Sequence, residues 1–397
     1  MTDPGELEHS PESPQPGWQT LAKVLNKTSA FFEKILFLQG YEFSSNIYVI
    51  TRDYLTIVDP GNDYTAFMQL WKLGFKPGDI KKIVLTHGHP DHAMGAFELL
   101  RAYPSILQGG GLELILHEAG PREFKELIQH IGCRLTEVKG GETLELSGLE
   151  WEVIHTPGHT IDGICPYHAP TKTVFTGDFV LPHAIAEPDQ NAGGRLDHYL
   201  FGVKELLKRE IENVLPGHGL PVVSEGRRVI EETYESLLMK IIGVEEKTPW
   251  MAGATALVQK GLLEEAVFCC DKEIARHPEN FRARQLKAMC LNDMARFQEA
   301  LEVLDQLEKL GTQESDRVYT FIGRGYAQMG LGKYDESIKL FDEALRIKPA
   351  AKDAQVYKGM ALYLAGRYEE AMEIEHFQAE FVERFKQELG KKSSAHA

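Results

Sequence analysis

Six consecutive residues combine the side-chain types that bind metal ions: His87-Gly88-His89-Pro90-Asp91-His92. Imidazole nitrogens and carboxylate oxygens are common protein ligands of zinc and of other divalent metals. His87 and His89 stand two apart on backbone predicted to be extended, so their side chains point the same way. Asp91 and His92 begin the next turn and can face a second ion. The spacing therefore predicts a metal site rather than a solvated turn.

Three later turns each carry one more metal-binding side chain directly after a predicted strand. The turns are rich in glycine (T-P-G-H-T, T-G-D and P-G-H-G) and follow apolar runs at residues 151–154, 174–175 and 213–215. Side chains on loops at the mouth of a sheet can converge without being buried in the core. The three additional candidates are His159, Asp178 and His218.

The six-residue cluster needs a rigid support, and the flanking sequence predicts one. The apolar run Ile83–Thr86 is typical of a buried strand, and the spacing of residues 93–100 indicates a helix packed on it. The cluster is therefore expected on a strand-to-helix turn. Further strands are predicted at 35–38, 46–50, 55–59, 112–117, 135–138, 143–146 and 149–155, and a further helix at 64–73.

The cluster and the three turns together resemble the metallo-β-lactamase-fold hydrolases, in their glyoxalase II-like and general-hydrolase branch. The resemblance runs from about Phe31 to Gly226. It implies an α+β fold, in which an αββα sandwich holds the ligands at the shared edge of two sheets. By the family pattern, one metal is bound by His87, His89 and His159, a second by Asp91, His92 and His218, and Asp178 bridges the two.

The resemblance also implies a chemistry. Two divalent metal ions are expected, zinc foremost, with iron or manganese as alternatives. A hydroxide bridging them would attack a thioester, ester or lactone, while Asp91 orients it and transfers the proton. Asp59, in a D-P-G turn, would brace the ligand loops or be a plain turn carboxylate. His183 is a candidate substrate contact or an exposed surface residue, whereas His117 matches a non-ligand position of the family.

A different pattern begins at Thr248. Gly325 and Gly359 stand 34 residues apart, and a four-fold motif recurs at spacings of 34, 37 and 34 residues. The pattern resembles the tetratricopeptide repeat, a helix-turn-helix unit. About four repeats and a capping helix over 377–389 are expected to form an all-α solenoid whose concave face binds a protein or peptide. The four motif copies lie at residues 261–266, 295–300, 332–337 and 366–371.

The length indicates two domains, because 397 residues exceed the size of a single core, ~250–300 residues. We expect a disordered extension at 1–17, a hydrolase domain at 18–247 and a repeat domain at 248–397. The net charge of −16 argues against nucleic-acid binding. No apolar run approaches the ~18 residues of a membrane span. Five scattered cysteines are typical of a reduced, cytoplasmic protein.

Two alternatives stay open. The chain is either an enzyme acting on a small molecule or an interaction protein whose hydrolase domain is vestigial. Within the enzyme class, a mononuclear iron persulfide dioxygenase-like activity is the alternative to a dinuclear hydrolase, because such enzymes share the upstream ligands. A complete set of seven ligand-type residues favours the dinuclear hydrolase.

Overall fold

The chain divides into two compact units, Met1–Ile241 and Ile242–Ala397. Residues 1–16, which make up most of the predicted disordered extension, lie outside the described residues, as does the predicted domain boundary at 247. The structure is a computed structural model that describes residues 17–41, 43–62, 64–107, 111–243, 249–310 and 313–383.

The first unit contains two β-sheets. The seven strands of the first sheet lie side by side in chain order, β1 to β7, with β4 to β7 parallel to one another. Their bounds are Gln19–Thr20, Ile35–Leu38, Ile47–Thr51, Leu55–Val58, Ile80–Val84, Glu113–His117 and Arg134–Val138. The second sheet has the order β12-β11-β10-β9-β8, in which only β11 and β12 are parallel. Its strands β8 to β12 span Thr143–Leu146, Leu149–His155, Ile164–His168, Thr173–Gly177 and Asn213–Pro216.

Apolar side chains from both sheets form the central core. Tyr48 and Val84 of the first sheet and Trp151 and Phe175 of the second belong to one buried cluster. Each such side chain contributes roughly 1.5–3 kcal/mol through burial, so this layer holds the two sheets face to face. The two strand edges that carry the metal-binding motifs are thereby brought together.

Helices cover the outer faces and complete the predicted αββα sandwich. Phe67 and Leu99, on the second and third helices, pack against Ile57 and Ile83 on the outer face of the first sheet. The fifth helix packs against β9 of the second sheet. Helices α1 to α6 span Leu21–Val24, Thr65–Lys72, Pro90–Ala102, Arg122–His130, Leu196–Leu207 and Gly226–Ile242.

In the second unit, the described residues form eight further named helices, α7 to α14, and consecutive helices pack against each other. This is the predicted all-α repeat architecture. Gly325 and Gly359 each lie against an aromatic ring. A Cβ added to Gly325 would lie 2.6 Å from the Phe341 ring, and one added to Gly359 would lie 2.3 Å from the Phe377 ring. The 34-residue glycine spacing therefore reflects helix packing. The helices span Trp250–Gln259, Leu263–Arg276, Phe281–Asp293, Phe297–Lys309, Glu314–Gly330, Tyr334–Ile347, Lys352–Leu364 and Tyr368–Met372.

The end of the chain is helical as far as it is described. Residues 375–383 form one more helix, and Phe377 packs into the last apolar cluster of the repeat unit. The rest of the predicted capping helix, 384–389, lies outside the described residues. Over the described parts of the chain, no helix combines the length and apolar character that crossing a bilayer requires.

Candidate metal centre

The seven predicted ligands come together at one edge of the sandwich. His87 follows β5, and helix α3 begins at Pro90, so Asp91 and His92 occupy its first turn. The parallel pairs β4–β5 and β11–β12 each end at this edge. The other three side chains, His159, Asp178 and His218, follow β9, β11 and β12 respectively.

Three histidines form a first group of potential ligands: His87, His89 and His159. His89 Nδ1 lies 3.1 Å from His87 Nε2 and 3.0 Å from His159 Nε2. The other nitrogen of the His87 ring lies 3.2 Å from the Thr86 hydroxyl. Such an outer contact fixes which ring nitrogen faces the centre of the group. The three inward nitrogens therefore present lone pairs to one point.

Two carboxylates and two imidazoles form the second group: Asp91, His92, Asp178 and His218. His218 Nε2 lies 3.1 Å from Asp91 Oδ2, and His92 Nε2 lies 3.3 Å from Asp178 Oδ1. Partial burial raises the pKa of Asp91, but the hydrogen bond with His218 and the charge of His92 outweigh it, so the pKa is lowered. Asp91 is thus ionised near neutral pH and can accept a proton.

Asp178 lies between the two groups. Its Oδ2 is 3.9 Å from His159 Nε2 in the first group and 3.5 Å from His218 Nε2 in the second. Its other oxygen faces His92, and the side chain is only 12% exposed. This is the arrangement that a bridging carboxylate requires.

The donor set fits divalent metal ions. Tetrahedral Zn–N bonds of ~2.0–2.1 Å separate ligand nitrogens by roughly 3.3–3.4 Å, close to the separations in the first group. Burial, together with the neighbouring imidazoles, holds the pKa of His87 well below its usual range, so the ring is a neutral ligand. In the second group, His92 Nε2 and Asp178 Oδ1 are buried without a hydrogen-bond partner. A bound cation would satisfy both atoms.

Glycines leave the room that the ligands need. A Cβ added to Gly217 would stand 2.4 Å from Asp178 Oδ1 and 2.6 Å from the His92 ring. Gly177 has a φ of +49°, and an added Cβ would stand 2.2 Å from the Thr86 hydroxyl. Gly217 N also donates to Gly177 O at 2.7 Å, which ties the β11 and β12 turns together. The glycine-rich turns are therefore part of the site geometry.

Asp59 makes the bracing contacts expected of it. Its carboxylate accepts hydrogen bonds from Thr86 N at 2.8 Å, from the Thr86 hydroxyl at 2.7 Å and from His92 Nδ1 at 2.8 Å. Burial alone lowers the His92 pKa, but Asp59 and Asp178 outweigh this effect and raise it to about 10. Asp59 is 2% exposed and has a φ of +50°. It thus joins the β4 turn to the β5 turn and orients one ligand of the second group.

Replacing Asp59 by Asn is expected to weaken metal binding by ~10–100-fold, the usual value of such an outer hydrogen bond. Asn tolerates the left-handed backbone, but its amide nitrogen is a donor and cannot replace the Asp59 oxygen that accepts from His92 and Thr86. Competition with a chelating indicator measures the affinity. Asp53→Asn, an exposed carboxylate on the β3–β4 turn, is the matched control. An unchanged affinity in Asp59→Asn would show that Asp59 is only a turn residue.

Two further supports were absent from the sequence prediction. His89 Nε2 donates to Asp189 Oδ2 at 3.1 Å, and His159 Nδ1 donates to the Glu187 carbonyl at 2.7 Å. Both acceptors lie on the segment between Asp178 and α5, and neither belongs to a metal-binding motif of the sequence. They orient the first group as Asp59 orients His92.

His183 and His117, which the sequence analysis also considered, lie outside the two groups of potential ligands. His183 is exposed in a tight turn with a φ of +64°, next to the bridge between Leu181 and Ala184. His117 stacks on His155 with ring centroids 4.1 Å apart. Neither belongs to the potential metal groups found among the described residues.

Comparison with known proteins finds a family match for one stretch in each unit of the chain. Residues 40–218 match the metallo-beta-lactamase superfamily, and residues 322–376 match the tetratricopeptide repeat. The chain therefore carries a metallo-β-lactamase superfamily domain followed by tetratricopeptide repeats. The predicted fold class and family resemblance are confirmed.

Curated relatives match part of the chain. An atrochrysone carboxyl ACP thioesterase from Cryptosporiopsis sp. (strain 8999) is 24% identical over 188 residues, 47% of this chain and 51% of the relative. A hydroxyacylglutathione hydrolase from Pseudomonas entomophila (strain L48) is 32% identical over 147 residues, 36% of this chain and 49% of the relative. The chain thus spans about half the length of these relatives. A metallo-beta-lactamase family protein from Thermus thermophilus aligns in structure with a TM-score of 0.42 and 21% identity, covering 56% of this chain and 87% of that chain.

Proposed function

We propose that the chain is a dinuclear metal-dependent hydrolase of thioesters, esters or lactones. The observation that carries the proposal is the convergence of seven ligand-type side chains into two adjacent groups, with Asp178 facing both. His87, His89 and His159 would hold one metal, and Asp91, His92 and His218 the other. Zinc suits this mixture of imidazoles and carboxylates, with iron or manganese as alternatives.

The exposure of the ligands indicates where the substrate enters. His92 is fully buried and Asp178 is 12% exposed, whereas Asp91 and His218 are 30% and 36% exposed. The open side of the centre is therefore lined by Asp91 and His218. Divalent metals bound there would polarise a carbonyl group and lower the pKa of a water molecule. Asp91 would orient that water and carry its proton to the leaving group.

Thioesters are the substrate class best supported. One curated relative is named a thioesterase and another a hydroxyacylglutathione hydrolase. A thiolate is also a good leaving group, which suits a site whose proposed proton carrier, Asp91, is a weakly basic carboxylate. Esters and lactones remain within the same chemistry, because attack on the carbonyl is the shared step. His183 is retained as a candidate substrate contact on the segment after Asp178.

The repeat unit would bind a protein or peptide partner, as solenoids of this type present an extended concave surface. All seven ligands lie in the first unit, so the second unit would contribute recognition and no catalytic group. The competing function is a scaffold with a vestigial hydrolase domain. Loss of one or more ligands would be expected in a decaying site, and all seven are present and grouped.

A substrate panel tests the proposal. The full chain, stripped with chelator and reloaded with zinc, iron or manganese, is assayed with an S-acyl glutathione, a simple acyl thioester, an aryl ester and a lactone. We expect hydrolysis of at least one thioester that depends on the added metal. Oxygen consumption with glutathione persulfide would instead indicate the dioxygenase alternative. A folded, metal-loaded chain that turns over none of these substrates would favour the scaffold.

A further inference from the structure

The repeat unit contains a groove on one face of its helices. Residues of α7, α9, α11 and α13, the first helix of each hairpin, line most of a cavity of about 610 Å³. Met289 and Tyr319 line it and are 43% and 59% exposed, respectively. Open grooves lined by exposed apolar side chains commonly bind peptide segments.

The charge of the groove is predominantly negative. Its lining includes three carboxylates, Asp293, Asp316 and Asp353, and a single basic residue, Arg282. Within the described parts of the chain, none of the three carboxylates has an ion pair to a basic side chain. Desolvation by the groove walls raises the pKa of Asp293. A cation entering the groove would be attracted by these three carboxylates.

Two of these carboxylates line the groove together with one aromatic residue, Tyr357. Tyr357 contacts Tyr326 edge to face, with ring centroids 5.1 Å apart. Asp353 and Tyr357 are four residues apart on α13 and therefore share one face of the helix. Both line the groove together with Asp293. Burial, followed by the charges of Asp353 and Asp293, raises the pKa of Tyr357. Aromatic rings beside paired carboxylates attract an ammonium or guanidinium group through both its charge and the ring quadrupole.

An unsatisfied acceptor lies in the wall of the same groove. Asn292 is 6% exposed and its Nδ2 donates to the Gly323 carbonyl at 3.0 Å. Its Oδ1 is buried and has no hydrogen-bond donor. A buried acceptor left without a donor costs about 1–3 kcal/mol, so a donor supplied by a bound segment is favourable. Asn292 thus adds one acceptor to the three carboxylates of the groove.

We propose that this groove binds a basic segment of a partner protein. A Lys or Arg side chain lies between Asp293 and Asp353 against Tyr357, an N–H group of the segment donates to Asn292, and apolar side chains cover Met289 and Tyr319. The proposal rests on the repeat unit's proposed role in protein binding. It does not depend on hydrolysis, because every residue involved lies in the second unit.

Fluorescence anisotropy tests the proposal with the full chain and a labelled peptide of about twelve alternating lysine and leucine residues. The comparison peptide replaces every lysine by glutamate. Measurement at about 0.15 M salt limits attraction beyond ~8 Å. We expect the lysine peptide to bind and the glutamate peptide not to bind. Equal binding of both peptides, or no binding of the lysine peptide, overturns the proposal.

A pair of matched variants separates the groove from the general negative charge of the chain. Asp293→Asn with Asp353→Asn removes two groove carboxylates, and Asp335→Asn with Glu336→Gln removes two exposed carboxylates from α12, outside the groove lining. We expect at least a tenfold loss of affinity in the first variant and less than a twofold change in the second. Equal losses of affinity in both variants would show that the peptide responds only to the net charge of the chain, and this would overturn the proposal.

Two further measurements complete the test. Circular dichroism establishes that the variants are folded, and Asp353→Asn alone, at an exposed position, provides a milder variant with an expected loss of several-fold. Sedimentation compares the parent chain with the groove variant, because a dimer that dissociates in the variant would identify a second copy as the occupant and overturn the proposal. Thioester hydrolysis by the groove variant is expected to equal that of the parent, so failure of peptide binding is distinguishable from failure of the hydrolase proposal.

Discussion

Replacing Asp91 by Asn is expected to lower thioester turnover by ~10²–10⁴-fold, the usual contribution of a positioned acid or base. The amide has the shape of the carboxylate and keeps one oxygen in place, but it cannot accept a proton. Asp91 is ionised and lies on the open side of the centre, where the attacking water and the leaving group would meet it. Most of the metal should remain bound, because His92, His218 and Asp178 of the second group are untouched.

Steady-state kinetics on metal-analysed protein measure this effect. Glu98→Gln is the matched control, because it removes one carboxylate from the solvent-facing side of the same helix, α3. We expect the control to stay within about twofold of the parent. Turnover of Asp91→Asn within a few-fold of the parent would show that Asp91 is a ligand without a part in proton transfer.

Replacing Asp178 by Ala is expected to have the second large effect, reducing both metal content and turnover. Asp178 is the carboxylate that reaches nitrogens of both groups, at 3.9 Å from His159 and 3.5 Å from His218. Its loss also removes one of two carboxylates near the buried His92 Nε2, which lies 3.3 Å from Asp178 Oδ1 and 3.5 Å from Asp91 Oδ2. Because an outer hydrogen bond alone is worth ~10–100-fold, loss of a bridging ligand should lower turnover by ~10² or more.

Metal analysis after dialysis without chelator gives the stoichiometry of this variant. We expect a fall from two metals per chain to one or fewer. Asp197→Ala, an exposed carboxylate at the start of α5, is the control and should retain both metals. A stoichiometry that Asp178→Ala leaves unchanged would contradict the bridging role.

Much of the first unit could be predicted because its strands are short apolar runs bounded by turn residues. The predicted strands at 35–38, 143–146 and 149–155 coincide with β2, β8 and β9. The prediction that two sheets pack face to face came from the family resemblance and not from these apolar runs. Periodicity shows which face of a strand is buried, but it contains no information about which strands are neighbours.

One central strand escaped prediction for a physical reason. The β10 strand, Ile164–His168, contains Pro166, which lacks the N–H that a ladder requires. It is nevertheless paired on both sides, with Pro166 opposite Val153 of β9. All five of its residues are buried, so no polar alternation marks it in the sequence. Tertiary burial here outweighs the local preference against proline.

The candidate metal centre could likewise be predicted only in part. Its candidate ligands could be named because histidines and aspartates recur at fixed spacing in glycine-rich turns. The supports of the first group could not, because Asp189 is a lone carboxylate in a loop, and the Glu187 contact uses a backbone carbonyl that every residue possesses. Only the folded position of the segment after β11 brings these acceptors to the histidine rings.

Titration of the metal-free full chain with zinc, with thioester hydrolysis and bound metal followed together, tests the two-metal proposal most directly. The seven ligands in two groups predict that bound metal saturates at two per chain. They also predict that hydrolysis reaches its maximum only as the second metal binds. Full activity at one metal per chain, or no hydrolysis at any metal content of the folded protein, would contradict the proposal.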